Sequence, residues 1–249
     1  MKFRIKIGDG FDHLHTNIEE IPARFESEGH TIHAGRNVIK VMEINGMEVN
    51  VKRYRIPSLF NKIVYTVLRK SKGLRAFLYP SILLEKGFET PRPIAYIEER
   101  KNGLIHYSYF VSTQCPYTRN FYEFGDADIN DCKDVVEAFA RYTARLHENG
   151  ILHHDYSPGN ILFEKQEGEY HFSLIDINRM SFCKVNIKKG CANFARLWGQ
   201  KAFFIHLART YAQARGADES FCIEYLLQQR SKFWSRYRKR HELKFNLEL

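Results

Sequence analysis

The sequence predicts an α+β chain with two lobes: a β-rich N-terminal lobe over residues 1–113 and a reduced, mostly helical C-terminal lobe over residues 114–249. Alternating apolar runs joined by tight turns dominate the first part of the chain. Apolar residues at three- and four-residue spacing dominate after Pro116, which we expect to mark the hinge region. At 249 residues, the chain is long enough for two such lobes and little beyond them.

The N-terminal lobe is predicted to contain two hairpins with one main helix between them. Asn45-Gly46 separates two alternating apolar runs, which is a strong hairpin signal, and Lys101-Asn102-Gly103 supplies the second turn. A helix is expected over about residues 71–86, with Gly87 at its end. The predicted strands are residues 38–44, 47–54, 94–99 and 104–112.

The C-terminal lobe is predicted to contain a long helix over residues 131–149. Its apolar face repeats at helical spacing through Val135, Val136, Phe139, Tyr142, Thr143 and Leu146. Asn130 or Asp131 is expected to cap its start, and Gly150 to close its end. Strands at residues 161–163 and 170–175 are predicted to form a hairpin after it.

The strongest functional signal lies between that helix and that hairpin. His153, Asp155 and Asn160 have the H-x-D-x-x-x-x-N spacing of a kinase catalytic loop, and Asp176 follows an apolar strand as the metal-binding Asp of D-F-G does. Phosphoryl transfer needs one carboxylate to orient and deprotonate the acceptor hydroxyl, here Asp155. It also needs oxygen ligands for Mg²⁺ (or Mn²⁺) on ATP, here Asn160 and Asp176. The sequence therefore predicts a protein-kinase-like fold; the alternative is an ordinary capped helix, tight turn and hairpin.

Three further residues are candidates for the site. Lys52 ends Val49-Asn50-Val51-Lys52 and resembles the V-A-I-K lysine that contacts ATP phosphates, the alternative being an ordinary edge-strand lysine. The usual glutamate partner of that lysine is replaced by Leu78 in the predicted helix. His153 is expected to brace the catalytic loop, and Arg179 either to support Asp176 or to bind a substrate anion.

The amino-acid sequence of several segments resembles the bacterial lipopolysaccharide kinase family, the Kdo/heptose kinase group, and within it a Bacteroidetes-type branch. The matching segments are residues 36–40, 51–54, 69–72, 90–98, 146–148, 154–160 and 176–180. The resemblance implies an ATP-dependent kinase that phosphorylates a sugar hydroxyl of the lipopolysaccharide inner core, with Kdo as the expected sugar. It also implies a lipid-linked Kdo–lipid A acceptor at the inner face of the cytoplasmic membrane.

Charge and composition agree with an anionic partner. The net charge is +9, which attracts nucleic acid, phosphorylated sugars or anionic lipid, but the chain has neither RNA-recognition aromatics nor a zinc-finger pattern, so no nucleic acid is expected. The five scattered cysteines form no C-x-x-C pair. Without a signal peptide or an 18-residue apolar run, we expect a cytoplasmic monomer that associates peripherally with the membrane.

Two basic regions are candidates for the membrane-facing surface. One is the C-terminal stretch, in which Phe233, Trp234 and Tyr237 are interleaved with Arg230, Lys232, Arg236, Arg238, Lys239, Arg240 and Lys244. Such a stretch suits an anionic lipid interface, but it also suits a terminal helix whose aromatic rings pack inward. The other region contains Lys62, Arg69, Lys70, Lys72 and Arg75.

Two rival functions stay open at this point. The chain is either a phosphotransferase that acts on a protein or small molecule, or a pseudokinase that binds nucleotide without turnover. Protein kinases place a long activation segment ending in Ala-Pro-Glu after the metal-binding Asp, and no such ending follows Asp176. Leu78 motivates the pseudokinase, whereas the intact set of Asp155, Asn160 and Asp176 argues against it.

Overall fold

The computed structural model describes residues 2–243, 245 and 248, so that Lys244 of the C-terminal basic stretch lies outside the described residues. The predicted α+β class is confirmed. The chain forms two compact units, one up to Pro116 and one from Tyr117 onward. No helix within the described residues is long and apolar enough to cross a membrane.

The first unit is built on a six-stranded antiparallel sheet in the order β1-β5-β6-β4-β3-β2. Both predicted hairpins are confirmed, and Asn45 and Gly46 turn with φ of 49° and 75°, as a type I′ turn requires. Two strands that the sequence did not predict, β1 and β2, form the edges. The strands are β1 (Lys2–Ile7), β2 (His30–Ala34), β3 (Val38–Ile44), β4 (Met47–Tyr54), β5 (Pro93–Lys101) and β6 (Leu104–Thr113).

Different helices cover the two faces of β5, because successive side chains of a strand point to opposite faces. Ala95 and Ile97 belong to the same buried cluster as Ile18 and Ile21 of α1 (His15–Arg24). Tyr96 instead accepts a 2.8 Å hydrogen bond from the hydroxyl of Ser71, the N-cap of α3 (Lys72–Glu85). β5 is therefore almost wholly buried.

A polar chain fixes the start of α3 on this sheet. The Ser71 hydroxyl accepts a hydrogen bond from the Leu74 amide at 3.1 Å, and the Tyr96 hydroxyl donates to Glu98 at 2.6 Å. Arg100 donates to the same buried carboxylate at 2.6 Å, so the charge of Glu98 is compensated. Burial, with the Glu98 carboxylate beside it, raises the pKa of Tyr96.

Within its described residues, the second unit combines four α-helices with short strands in the sheets β10-β9-β7 and β11-β8. The predicted long helix and hairpin are confirmed, but the helix starts earlier than expected. Asp128, rather than Asn130 or Asp131, is the N-cap, because its carboxylate accepts from the Asn130 amide at 2.8 Å. The elements are β7 (Arg119–Asn120), α4 (Ile129–Glu148), β8 (Ile151–His153), β9 (Ile161–Gln166), β10 (Glu169–Leu174), β11 (Met180–Phe182), α5 (Ile187–Asn193), α6 (Lys201–Ala214) and α7 (Glu219–Tyr237).

An aromatic cluster centred on Phe139 of α4 supports the loop that follows β8. Its ring lies 4.2 Å from Phe121, 5.5 Å from Phe172 and 5.6 Å from Tyr156, centroid to centroid. Tyr156 is fully buried, and its hydroxyl shares a 2.9 Å hydrogen bond with Thr143. The loop residue next to Asp155 is therefore anchored in the core of the second unit.

Candidate active site

The Asp155 carboxylate lies between two arginines. Arg179 Nη1 is 3.1 Å from Oδ2, and Arg196 Nη2 is 3.1 Å from Oδ1. Arg179 was expected to support Asp176 or to bind a substrate anion; the structure pairs it with Asp155, and its exposed guanidinium leaves anion binding as a prediction. Arg196 was not predicted, because it lies in a short 3₁₀ turn, Phe194–Arg196, far from the motif in sequence.

The buried His153 links the catalytic loop to the segment that carries Asp176. Its Nδ1 accepts a hydrogen bond from the Asp155 amide at 3.0 Å, so Nε2 carries the proton and donates to the Ile175 carbonyl at 3.1 Å. Burial lowers the pKa of His153, which keeps the ring neutral and this tautomer in place. His153 thus ties the two segments together, and its role in bracing the catalytic loop for the reaction stays a prediction.

Asn160 and Asp176 are held next to each other by backbone hydrogen bonds. The Ile175 amide donates to the Asn160 carbonyl at 3.1 Å, and the Asn160 side-chain amide donates to the Asp155 carbonyl at 2.8 Å. Since its Nδ2 is used in this way, the amide oxygen of Asn160 is the atom left to act as a ligand. Asp176 has a left-handed backbone (φ 53°) and accepts from Asn178 at 2.5 Å. A carboxylate and an amide oxygen are hard donors, and they fit Mg²⁺.

A second chain of hydrogen bonds, which we call the relay, holds His153 in place through its backbone carbonyl. Asn193 donates to the His153 carbonyl at 2.9 Å and accepts from His147 Nε2 at 3.0 Å, while His147 Nδ1 accepts from the Tyr211 hydroxyl at 2.9 Å. Burial is the main cause that lowers the pKa of His147 to about 4. A Cβ at Gly190 would lie 1.9 Å from the Tyr211 hydroxyl oxygen, so this position requires glycine.

This relay predicts a pH dependence of folding stability. Because the pKa of His147 is about 4 in the folded chain and about 6.5 unfolded, the unfolded state binds an extra proton between these values. The free energy of unfolding is therefore expected to fall by about 3 kcal/mol as the pH decreases from 6.5 to 4. His147→Gln, which can still donate and accept, should flatten this dependence in urea titrations at both pH values. If the free energy of unfolding of that variant depends on pH as steeply as in the wild type, groups other than His147 cause the dependence.

Lys52 lies in the first unit, on a strand inside the sheet. β4 pairs with β3 on one side and β6 on the other, so the alternative of an edge-strand lysine is wrong. The Lys52 ammonium lies 5.6 Å from the Tyr54 ring centroid. Leu78 is half-buried on α3, which continues through Pro80.

A groove of about 660 Å³ runs along α7 in the second unit. Arg196 connects this groove to the catalytic loop, because its guanidinium lies over the Phe233 ring at 5.3 Å while it pairs with Asp155. Trp234 of the same helix is buried, as expected for a terminal helix whose rings pack inward. The charged side chains that line the groove within the described residues are all cations, namely Lys232, Arg236, Lys239 and Arg240.

The comparisons with known proteins concern the fold and the family. The fold resembles the solved structure of WaaP in complex with acyl carrier protein, with a TM-score of 0.61 and 18% identity over 93% of this chain and 99% of that one. The likeness confirms the predicted fold class. The calcium/calmodulin-dependent protein kinase type IV of Mus musculus is 25% identical over 159 residues, or 57% of this chain. The chain spans about a third of that relative's length (32%).

The family model for lipopolysaccharide kinases matches residues 48–213, which contain Lys52, the catalytic loop and Asp176. The match covers well over half of the chain and confirms the resemblance found in the sequence. The chain belongs to the lipopolysaccharide kinase (Kdo/WaaP) family.

Proposed function

We propose that the protein is an ATP-dependent kinase that phosphorylates a sugar hydroxyl of the lipopolysaccharide inner core, with Kdo as the acceptor sugar. The observation that carries the proposal is the joint placement of Asp155, Asn160 and Asp176. Hydrogen bonds of His153 and Ile175 hold their backbones together. A nucleotide-binding pseudokinase would not need a carboxylate held for proton acceptance.

In the proposed mechanism, Asp155 orients the acceptor hydroxyl and accepts its proton. Both carboxylate oxygens contact an arginine, but each oxygen has a second lone pair that can take the hydroxyl hydrogen bond. Asn160 and Asp176 would hold Mg²⁺, which, when bound, neutralises charge on the ATP phosphates. Lys52 is proposed, from its sequence motif, to bind ATP phosphate as a point charge.

An anionic acceptor is supported by the cations around the second unit's site. Kdo carries a carboxylate and lipid A carries phosphates, both of which pair well with arginine. Arg179 and Arg196 are half-exposed beside Asp155, and the groove along α7 adds four more cations. We infer that the lipid-linked acceptor brings the enzyme to the inner face of the cytoplasmic membrane. The solved WaaP complex also suggests an acyl carrier protein as a partner.

The decisive experiment incubates the protein with Mg²⁺, labelled ATP and Kdo–lipid A. We expect label on the sugar, and mass spectrometry of the product should place one phosphate on Kdo. Parallel reactions with a general protein substrate and with free heptose test the rival acceptors. Label on protein alone would replace the proposal by a protein kinase, and ATP binding without any transfer would leave a pseudokinase.

Arg196 is expected to act as a positioning residue for Asp155. Arg196→Ala should lower kcat by about tenfold or more, because a charge-assisted hydrogen bond to the carboxylate is lost, while the KM for ATP stays unchanged. Arg196→Lys should restore part of the loss, since it keeps the charge without the fork. Arg238→Ala, an exposed arginine outside the groove lining, is the control. Equal kcat in Arg196→Ala and the control would contradict this role.

A further inference from the structure

One helical segment of the first unit exposes its apolar side chains instead of burying them. The segment, residues 59–68, consists of α2 (Leu59–Ile63) and a π-helical turn (Val64–Leu68). Leu59 is 70% exposed, Phe60 76%, Val67 75% and Leu68 78%. Leu59, Ile63 and Val67 follow one another at i, i+4 spacing, so they form one outward stripe. We call residues 59–68 the docking segment.

The side of the docking segment that faces the protein is more polar than the side that faces solvent. Thr66 donates to the Lys62 carbonyl at 2.6 Å, and Thr66 and Tyr65 are half-buried. A surface helix normally shows the reverse pattern, with its apolar stripe inward. Such a cluster of large exposed apolar side chains marks a surface that another apolar medium covers.

A cationic cleft of about 480 Å³ lies at the base of the docking segment. The charged side chains that line it, among the described residues, are the cations Arg36, Arg55 and Lys72. Ser58 and Asn61 of the segment line the same cleft, so apolar side chains and cations share one surface. Arg69 and Lys70, both exposed, follow the segment directly.

We propose that the docking segment and this cleft bind an anionic lipid bilayer, with the apolar side chains among the acyl chains and the cations on the phosphates. Rings and aliphatic side chains at headgroup depth beside lysine and arginine are the composition of an interfacial helix. A bilayer accounts for both halves of the surface, namely the apolar stripe and the cleft, whose charged lining among the described residues is cationic. The proposal rests on the proposed function in one respect, because a lipid-linked acceptor is what would require the enzyme to bind a bilayer.

The test is sedimentation with vesicles of phosphatidylglycerol and phosphatidylcholine, without ATP or acceptor. Phe60→Gln with Leu68→Gln should weaken binding at least about tenfold, since both side chains leave the lipid. The matched control is Phe221→Gln with Leu84→Gln, which removes one Phe and one Leu that are also exposed, each about 37%, but lie elsewhere. The control should bind as the wild type does. Equal binding of both double variants would overturn the proposal.

The cationic cleft is tested separately. Arg36→Gln with Arg55→Gln should weaken binding to phosphatidylglycerol vesicles and reduce its salt dependence, while weak binding to pure phosphatidylcholine stays unchanged. Arg238→Gln with Lys184→Gln removes the same charge from other exposed sites. If that control loses binding and the cleft variant does not, the cations that contact lipid lie outside the cleft and the proposal is wrong.

Two further measurements distinguish lipid binding from a protein interface and from the proposed kinase function. If the Phe60/Leu68 variant keeps vesicle binding but loses binding to an acyl carrier protein, the segment is a protein interface and the lipid proposal fails. Turnover on a soluble, delipidated Kdo acceptor should be equal in wild type and variant. Absence of that turnover in the wild type would refute the proposed kinase function, but the vesicle result would still decide the lipid contact.

Discussion

Asp155→Asn is expected to lower kcat by about 10²- to 10⁴-fold while Mg·ATP affinity changes little. The amide cannot accept the proton of the acceptor hydroxyl, yet it is isosteric and can still accept a hydrogen bond from one arginine. The backbone contacts of Asp155 with His153 and Asn160 do not involve the carboxylate. A timed assay of phosphate transfer from labelled ATP measures kcat, and calorimetry with Mg·ATP measures the affinity.

Asn178→Ala provides a comparison for this variant, since it removes a contact of Asp176 rather than the proton acceptor. It should affect Mg·ATP affinity more than the chemical step. If Asp155→Asn turned over at the wild-type rate, proton acceptance would belong to another group or to water. The role of the catalytic loop in this family member would then be only structural.

Asp176→Ala is expected to reduce Mg²⁺-dependent ATP binding by more than about 100-fold, because a hard cation loses its charged oxygen ligand. Asp176 has φ of 53°, a backbone region that alanine disfavours, so the folding stability of this variant should also fall by about 1 kcal/mol. Asp176→Asn separates the two effects, since asparagine tolerates this conformation. It should keep the stability and still lose most of the metal affinity.

Calorimetry measures the Mg·ATP affinity of these variants, and thermal unfolding measures their folding stability. Asp126→Ala removes an exposed carboxylate from the same unit and serves as the control. Wild-type Mg·ATP affinity in a folded Asp176→Asn variant would contradict the assignment of Asp176 as a metal ligand. Loss of affinity in the control as well would indicate a general charge effect.

Local features were predictable from the sequence, because their causes lie within a few residues. Asn45-Gly46 adopts the positive φ that the turn requires, and the spacing of Asp155 and Asn160 places both on one loop. The helix cap was misplaced by a few residues, since Asp128, Asn130 and Asp131 are all good capping residues.

Long-range pairing was not predictable in the same way. Arg196 reaches Asp155 only after the chain has passed through β9, β10, β11 and α5, and no spacing rule connects them. β1 alternates basic residues with the apolar Phe3, Ile5 and Ile7, so the sequence does carry a strand signal there, but no local pattern specifies that it pairs with β5. Whether Arg179 contacts Asp155 or Asp176 depends on a side-chain direction that the motif does not specify.

The two arginines on Asp155 also change how the site attracts its acceptor. One carboxylate and two guanidinium groups carry a net charge of +1, so this cluster of three side chains attracts an anion that approaches Asp155. At about 4 Å, a unit negative charge gains roughly 1 kcal/mol in water and up to about 4 kcal/mol near a protein surface. A neutral sugar gains none of this. For the proposed reaction, we therefore expect these charges to favour anionic over neutral sugars as acceptors, and a higher ionic strength should reduce that preference.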